Sequence, residues 1–436
     1  MIAQLNARLS EAVWGAPVII LMLVTGVLFT VGTGFFQVRC AGRILRETLG
    51  TLFHKTPGAD ASSLSQLQTV SASLGATIGT GSVVGVAAAI SVGGAGAVFW
   101  MWVSAFFGMM TAYAENVLAI LFREKKNGVT VCTAADYMEK GLGARWMGVI
   151  FSVFCVLASF GMGNMAQGNA IAGACAESFG VPAAVCGAAL TALVCAVMLG
   201  GRKRLGRVAE RLVPFMAVFF IGGALVIILL NCSELGGAFG EIFAGAFGVK
   251  SAAGGAVGVT LQMAVSTGFR RGSFSHEAGL GSTVALHAAT EVRDPVKQGM
   301  WGIFEVFVDT MVICTLTALV ILVTGQTGGG SDCIVRAFST GFGTLGGTFV
   351  SVSIALFALA TILSWSYIGI QSWNWLFPRS KGRLYKSIFC VAAFFGCTMN
   401  LKLVWDISDT FNGLMAIPNL TALLLLSRKV FKASRS

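Results

Sequence analysis

Two segments interrupt apolar stretches of the chain with residues that are suited to binding ions. The first is Gly75-Ala76-Thr77-Ile78-Gly79-Thr80-Gly81-Ser82, and the second is Arg270-Arg271-Gly272-Ser273-Phe274-Ser275-His276-Glu277. Glycines weaken a helix, and small hydroxyl side chains satisfy the backbone groups that an interruption frees. Each segment therefore predicts a helix that is broken partway along an apolar span.

The first segment has the chemistry to bind a carboxylate and a cation together. A helix that restarts near Thr80 and Gly81 exposes N–H groups at the positive end of its dipole, where a carboxylate binds. A helix that ends between Gly75 and Ile78 exposes carbonyl oxygens, which are ligands for a hard cation or an ammonium group. One such break could hold both an amino acid and a sodium ion.

Structural interpretations of the same residues remain open. Gly81 and Gly85 are four residues apart, like the pairs of small residues that let two membrane helices pack closely. Arg270, Arg271 and Glu277 could instead form a paired structural cluster, or mark a re-entrant channel loop. The matching positions of the two segments, five predicted helices apart, favour a binding site.

The composition predicts a membrane protein. Of 436 residues, 56% are hydrophobic and 11% are charged, whereas soluble domains carry about 25% charged residues. The 30 lysines and arginines lie in short groups between apolar runs, which is typical of cytoplasmic loops that contact anionic membrane lipid. The absence of one basic patch argues against a nucleic-acid partner. No cysteine or histidine spacing indicates a metal site, and no obligatory protein partner is evident.

Apolar runs of about 20 residues or more predict an all-α polytopic protein with eleven transmembrane helices in a single domain, residues 1–436. Residues 12–38 form a peripheral first helix. Residues 62–233 and 251–428 form two five-helix repeats, each opening with a discontinuous helix. These bounds make the two broken helices equivalent members of the two repeats.

The basic residues predict the orientation. They concentrate after helices one, three, five, seven and nine and in the C-terminal tail, so the N-terminus is expected outside and the C-terminus in the cytoplasm. Helix two then runs outwards and helix seven inwards, which makes the repeats inverted, as in secondary transporters. The expected location is the plasma membrane or the bacterial inner membrane.

Several polar residues lie within the predicted spans. Asn164 and Gln167 are three residues apart, hence on one face of helix four, where they could line the cavity or hydrogen-bond between helices. Glu115 is expected to pair with loop arginines. Asp309 in helix eight could relay protons or be structurally paired.

Five strings of the chain resemble the alanine or glycine:cation symporters, a family of sodium-coupled carriers with the leucine-transporter fold. They are VSASLGATIGTGSVVGVAAAISVGGAGAVFWMWVSAFFGM, SFGMGNMAQGN, GFRRGSFSHEAGLGS, FVDTMVICTLTALVILVTG and FALATILSWSYIG. The resemblance covers nearly the whole chain. It implies that Thr80 and Gly81 receive the substrate carboxylate through backbone N–H groups, and that Ser266, Gly268 and Phe269 surround the ammonium group and side chain.

The resemblance also implies one sodium site between helices two and nine. Its ligands would be the carbonyls of Gly75, Ile78 and Ala358 and the hydroxyl of Thr361, an all-oxygen set that suits a hard cation. Ser364, one turn further on the same helix face, is a further candidate. The family usually has asparagine where this chain has Ser82 and His276, so contacts of those asparagines do not carry over.

The expected function is sodium-coupled symport of a small neutral amino acid, alanine or glycine, into the cell by alternating access. Sodium would act as the coupling ion rather than as a permanent cofactor. A proton-coupled carrier of the same fold is the nearest alternative, with Asp309, Glu277 or His276 as the titrating group. A channel or a membrane enzyme is less favoured, because the chain has no repeated pore element, HExxH or GxSxG motif.

Overall fold

A computed structural model describes residues 2–52, 63–126, 128–248, 261–328, 332–380, 382–399 and 402–435, and these are almost entirely helical. The helices are α1 (Ile2–Val13), α2 (Ala16–Gly32), α3 (Phe36–Arg39), α4 (Ala41–Thr48), α5 (Gln66–Thr77), α6 (Val84–Gly93), α7 (Gly96–Phe122), α8 (Ala134–Leu142), α9 (Arg145–Phe160), α10 (Ala166–Phe179), α11 (Ala183–Leu199), α12 (Gly201–Leu230), α13 (Leu235–Ala246), α14 (Leu261–His276), α15 (Val284–Ala288), α16 (Pro295–Val306), α17 (Thr315–Val323), α18 (Cys333–Phe342), α19 (Leu345–Leu376), α20 (Arg383–Thr398) and α21 (Lys402–Arg435). Strands β1 (Glu124–Lys126) and β2 (Val129–Val131) form a short antiparallel hairpin.

Seven helices in the described part of the chain are long and apolar enough to cross a membrane. They are Gln4–Gly32, Gly96–Phe122, Arg145–Phe179, Gly201–Leu230, Pro295–Val323, Leu345–Leu376 and Asp406–Arg435. Lipid-facing surfaces are apolar, as on α12, where Val218 is 72% exposed and Leu229 is 70% exposed. The chain is thus a multi-pass membrane protein, and the count of eleven spans stays a prediction.

Helix two is broken, as the sequence predicts. A capping box of Ser65 and Gln68 starts α5, which ends at Thr77. Residues 78–83, which we call the α5–α6 interruption, contain a single 3-10 turn, Thr80–Ser82, before α6 begins at Val84. Within it, the Gly79 N–H donates to the Thr77 carbonyl (2.9 Å) instead of continuing the helical ladder.

Helix seven is also broken, but later than the sequence predicts. The predicted interruption begins at Arg270, whereas α14 runs without a break through both arginines to His276. Arg270 keeps this helical position because it pairs with Asp409 of α21 and lies over the Trp14 ring, 5.9 Å from its centroid. Residues 251–260, where this span was predicted to begin, lie outside the described residues.

The break itself occupies residues 277–283, which we call the α14–α15 interruption. Glu277, Gly279 and Gly281 all have positive φ, +54°, +89° and +72°. Glycine adopts this region without steric cost, whereas a non-glycine residue such as Glu277 rarely does. The backbone turn therefore depends on the two glycines, and α15 resumes at Val284.

Two further helices are locally widened rather than broken. A π-helical turn at Gly161–Met165 joins α9 to α10, and a longer one at Phe307–Cys314 joins α16 to α17. Such turns leave backbone groups offset from the α-helical ladder and occur frequently at functional sites. The Phe307–Cys314 turn lies beside the α5–α6 interruption, because Asp309 bonds to Ser82, whereas the Gly161–Met165 turn packs against α19 at Trp365.

Candidate functional site

The α5–α6 interruption faces hydroxyl groups of α19. A Cβ atom added at Gly79 would lie 2.7 Å from the Thr361 Oγ1, and one added at Gly75 would lie 2.9 Å from the Ser364 Oγ. Both side chains are fully buried. The glycines thus make room for two hydroxyl oxygens, and Ala358 lies one turn before Thr361 on the same face of α19.

Carbonyl oxygens at the end of α5 complete this oxygen-rich region. Because the Gly79 N–H turns to Thr77 and the Ile78 N–H donates to Leu74, the usual partner of the Gly75 carbonyl is lost. In the described part of the chain, no donor bonds to the carbonyl of Gly75 or Ile78. The predicted ligands from helices two and nine therefore face each other across one interface.

The backbone N–H groups of Thr80 and Gly81 are also available. Neither has a hydrogen-bond acceptor within the described residues. A Cβ atom at Gly81 would lie 3.1 Å from Phe274 Cδ1 and 3.6 Å from Ser275 Cα. The last turn of α14 therefore covers the point at which helix two restarts.

The three substrate residues predicted in helix seven lie elsewhere on α14. A Cβ atom at Gly268 would meet the Ala97 carbonyl at 2.5 Å, so this glycine packs against α7. The Phe269 ring lies 6.2 Å from that of Trp100, and the Ser266 hydroxyl donates to Met263 of its own helix. They lie a turn or more before the last turn of α14 because that helix stays intact to His276.

Phe274 and Ser275 are the residues that sequence reasoning missed at this point. They lie in the GFRRGSFSHEAG string, a few residues after Ser266, Gly268 and Phe269, which the family resemblance implied as substrate contacts. A signal for the later break was present in Gly279 and Gly281, since two glycines follow Glu277 at alternate positions.

The two amides of helix four have different partners. The Gln167 Oε1 accepts a hydrogen bond from the Thr80 hydroxyl (3.1 Å), so Gln167 reaches the α5–α6 interruption. The Asn164 Nδ2 donates to the Phe389 carbonyl of α20 (2.7 Å). Gln167 thus contacts the site, whereas Asn164 links two helices, which is the second of the two roles that their spacing allows.

Asp309 joins both broken helices to the widened turn of helix eight. Its Oδ1 accepts from the hydroxyls of Ser82 (2.6 Å) and Ser275 (3.0 Å), and its Oδ2 accepts from Ser275 (2.8 Å) and Thr310 (2.8 Å). The carboxylate is fully buried. Hydroxyl donors stabilise the charge of an ionised carboxylate without a neighbouring cation, so this oxygen-rich cluster can hold Asp309 in its ionised form.

Two more carboxylates hold the α14–α15 interruption. Glu277 accepts from the Ser282 hydroxyl (2.6 Å) and from Trp365 Nε1 of α19 (2.9 Å). Glu115 accepts from the Gly281 N–H (2.9 Å) and from Asn419 Nδ2 (2.6 Å). The expected pairing of Glu115 with loop arginines is therefore wrong, because the positive φ at Gly281 turns a backbone N–H towards it instead.

His276 ends α14 beside α7. Its Nδ1 accepts from the Ala278 N–H (3.1 Å), and its Nε2 lies 3.1 Å from the Ser104 hydroxyl. In the neutral ring the proton then lies on Nε2, which donates to Ser104. His276 is thus held between α7 and α14 rather than at the α5–α6 interruption.

Comparison with known proteins extends over the whole chain. Residues 1–436 match the model of the sodium:alanine symporter family. The sodium/alanine symporter AgcS of Methanococcus maripaludis is 40% identical, over 97% of this chain and 94% of that protein. The amino-acid carrier protein AlsT of Bacillus subtilis is 34% identical, over 93% and 86%.

A protein of known structure has a similar fold. The crystal structure of MhsT in complex with L-phenylalanine superposes with a TM-score of 0.61 at 14% identity, over 85% of this chain and 92% of that one. This likeness supports a shared fold of the leucine-transporter type. The family and the fold are those of transporters rather than enzymes.

Proposed function

Because the chain belongs to the sodium:alanine symporter family, we propose that it carries a small neutral amino acid, alanine or glycine, into the cell together with sodium. The observation that carries the proposal is the apposition of the α5–α6 interruption to the hydroxyls of Thr361 and Ser364. A hard cation prefers this kind of all-oxygen surface. Sodium is here a co-transported ion rather than a resident cofactor.

The proposed sodium ligands are the carbonyls of Gly75, Ile78 and Ala358 with the hydroxyl of Thr361, and Ser364 as a further ligand. Two observations support this set. The carbonyls of Gly75 and Ile78 have no donor within the described residues, and the hydroxyls lie where a side chain at Gly75 or Gly79 would otherwise be. Sodium would therefore hold α5 and α19 together.

The proposed carboxylate site is the pair of free N–H groups at Thr80 and Gly81, at the restart of helix two. Gln167 fixes the Thr80 side chain beside it. Ser266, Gly268, Phe269 and Asn164 remain proposed substrate residues, and Phe274 joins them because its ring lies against Gly81. A ring at this distance restricts the space above the N–H groups and favours a small side chain.

We further propose the membrane architecture that the sequence predicts. It has eleven spans within one domain, a peripheral helix over residues 12–38, and inverted repeats over residues 62–233 and 251–428, with the N-terminus outside. The two observed interruptions support this division, since each falls in the first helix of its repeat. Alternating access would then move the two halves relative to each other around the binding sites. The outer surface of the protein would contact membrane lipid.

The sodium gradient is energetically sufficient. One cation that moves down about 100 mV supplies about 2.3 kcal/mol, and a tenfold concentration gradient adds about 1.4 kcal/mol. A neutral amino acid could thus be concentrated several hundredfold. Because binding is reciprocal, alanine should raise the affinity for sodium by the same factor by which sodium raises that for alanine.

The test is uptake of labelled alanine into proteoliposomes that hold the purified protein. A sodium gradient, a potassium gradient and a proton gradient are imposed in separate samples. Accumulation only with sodium is the expected result. Unlabelled glycine and glutamine as competitors define the substrate range, and accumulation that ignores the sodium gradient would contradict the proposal.

Proton coupling is the second candidate, and one observation favours it. Asp309, fully buried, contacts both broken helices through neutral hydroxyls alone, with no cation among the partners that the structure describes. A carboxylate in that position could exchange its proton during transport. In the uptake experiment, accumulation driven by protons without sodium would select this mechanism.

A further inference from the structure

A cavity with polar and apolar lining residues lies apart from the interrupted helices, where the start of α12 meets the end of α19. Its volume is about 230 Å³, it is open on one side, and we call it the α12–α19 cavity. Its polar lining includes Arg202, Tyr367, Gln371, Asn374 and Lys386, and no carboxylate side chain lines it within the described residues. The cavity therefore has a positive charge with no internal counter-ion.

Two buried groups in this cavity lie next to each other and have no other partner. Tyr367 is 6% exposed, and its hydroxyl lies beside the Arg202 guanidinium, whose Nη1 is also buried. When Arg202 donates to the Tyr367 oxygen, the hydroxyl hydrogen of Tyr367 has no acceptor among the described residues. A buried donor without an acceptor is unfavourable. These neighbouring donors therefore point to a ligand that accepts hydrogen bonds.

The backbone adds to the attraction for an anion. Gly201 and Arg202 lie in the first turn of α12, a 30-residue helix, and both line the cavity. The first N–H groups of a helix lack intrahelical acceptors and form the positive end of its dipole. On α19, Tyr367, Gln371 and Asn374 are spaced by four and three residues, so all three project from one helix face.

The charged and apolar side chains that line the cavity indicate the chemical class of its ligand. A guanidinium binds phosphate through two parallel hydrogen bonds, and Lys386 adds a second cation at the cavity. Val197, Leu205 and Ile370 form an apolar part of the same lining. We propose that the α12–α19 cavity binds a phosphate group, carried either by an anionic phospholipid or by a small soluble phosphate.

The site is independent of the proposed transport site. It is formed by the 197–205 segment and the last third of α19, whereas Thr361 and Ser364 face α5. The basic residues around it, Arg202 to Arg207 and Arg379 to Lys386, belong to two loops predicted to be cytoplasmic. A lipid bound here would belong to the inner leaflet.

The test has a lipid arm and a soluble arm. Purified protein is equilibrated with phosphatidylcholine vesicles that contain one fifth phosphatidylglycerol, and retained lipid is counted by native mass spectrometry. Separately, the melting temperature is measured in detergent with inorganic phosphate or with chloride at equal ionic strength. The expected result is one retained phosphatidylglycerol per chain, or a phosphate-specific rise in melting temperature.

Three variants decide the outcome. Arg202→Gln should lower the response about tenfold, the loss of about 1.4 kcal/mol, and Tyr367→Phe should lower it less while keeping the ring. Arg204→Gln is the matched control, because Arg204 is exposed and donates to the Ala196 carbonyl (2.7 Å). A response in the lipid arm alone identifies the phospholipid, and one in the soluble arm identifies a free phosphate.

Two results would overturn the proposal. One is a wild-type protein that responds in neither arm. The other is an equal loss in Arg202→Gln and Arg204→Gln, which would indicate general charge attraction rather than a built site. If Arg202→Gln fails to fold, as judged by its melting curve without phosphate, Tyr367→Phe alone decides, and an unchanged response in it contradicts the proposal.

Discussion

The hydroxyl of Thr361 shows how a single side chain can be prepared for a cation. It donates its hydrogen to the Phe357 carbonyl (3.1 Å) of its own helix. Since the hydrogen is used there, the oxygen lone pairs are left for the α5–α6 interruption. No rearrangement of the side chain is then needed when an ion arrives.

This geometry predicts the effect of Thr361→Ala. Removal of one oxygen ligand should weaken sodium activation of alanine uptake about tenfold, equivalent to about 1.4 kcal/mol, with little change in the preference between alanine and other amino acids. The measurement is the sodium concentration that gives half-maximal uptake. Ser353→Ala is the matched control, because this buried hydroxyl of the same helix donates to Phe349 (2.8 Å). Equal sodium affinity in both variants would contradict the site.

Gly81 and Gly85 allow a second comparison at single residues. A Cβ atom at Gly81 would lie 3.1 Å from the Phe274 ring. Among the described residues, leaving aside the nearby backbone of its own helix, no atom lies within 4 Å of a Cβ atom at Gly85. Gly81→Val should therefore abolish alanine binding by covering the free N–H groups, while Gly85→Val should bind normally. Isothermal titration with alanine in detergent measures both. Normal binding by Gly81→Val would remove the carboxylate role.

At the scale of helices, a buried hydrogen-bonded cluster ties the two broken helices together. The Ser73 hydroxyl of α5 lies 2.8 Å from Glu305 Oε2 of α16 and 2.9 Å from His287 Nε2 of α15. His287 and Glu305 are themselves 3.0 Å apart, and Gln298 meets the other ring nitrogen of His287 at 2.6 Å. The first half of one broken helix is thus attached to the second half of the other.

Ser73→Ala should release α5 from this cluster without disturbing the contact between His287 and Glu305. Local opening of α5 then becomes easier, so amide hydrogen exchange over residues 66–77 should rise about tenfold. Residues 84–93 of α6 provide the internal reference and should exchange as before. Unchanged exchange over residues 66–77 would show that the cluster does not hold α5.

The elements that could be predicted from sequence were those with a clear composition signal. The glycines and hydroxyls at residues 75–82 marked the first interruption correctly. The second was placed too early because charged residues inside an apolar run suggest a break, and the stabilising partner of Arg270 is Asp409, 139 residues away. The Asp309 cluster was missed for the same reason, since Ser82 and Ser275 meet that carboxylate only through tertiary packing.

The whole molecule offers one reporter of its orientation. In the described part of the chain, which includes all eleven cysteines, Cys232 is the one exposed thiol. It follows α12 in a loop that the distribution of basic residues places outside. The proposed topology therefore predicts that this thiol lies on the outer side of the membrane.

A membrane-impermeant maleimide should label Cys232 in intact cells. Cys232→Ser should abolish the labelling, and adding Arg204→Cys to that variant should restore it only after the membrane is permeabilised. Labelling of Cys232 that itself requires permeabilisation would reverse the proposed orientation. The fold would stand in either case, because it does not depend on which terminus is outside.

The helix that contains the π-helical turn at Phe307–Cys314 does not need this turn in order to fold, but the positions of its polar side chains depend on it. A π turn contains more residues than the α turn it replaces, so deletion of one residue there would let the helix return to ordinary α geometry. The side chains before the deletion would rotate by about 100° relative to those after it. Asp309 and Thr317, which donates to the Ser82 carbonyl (2.9 Å), could then no longer both face helix two. Deletion of the extra residue should therefore leave the helix folded but impair transport.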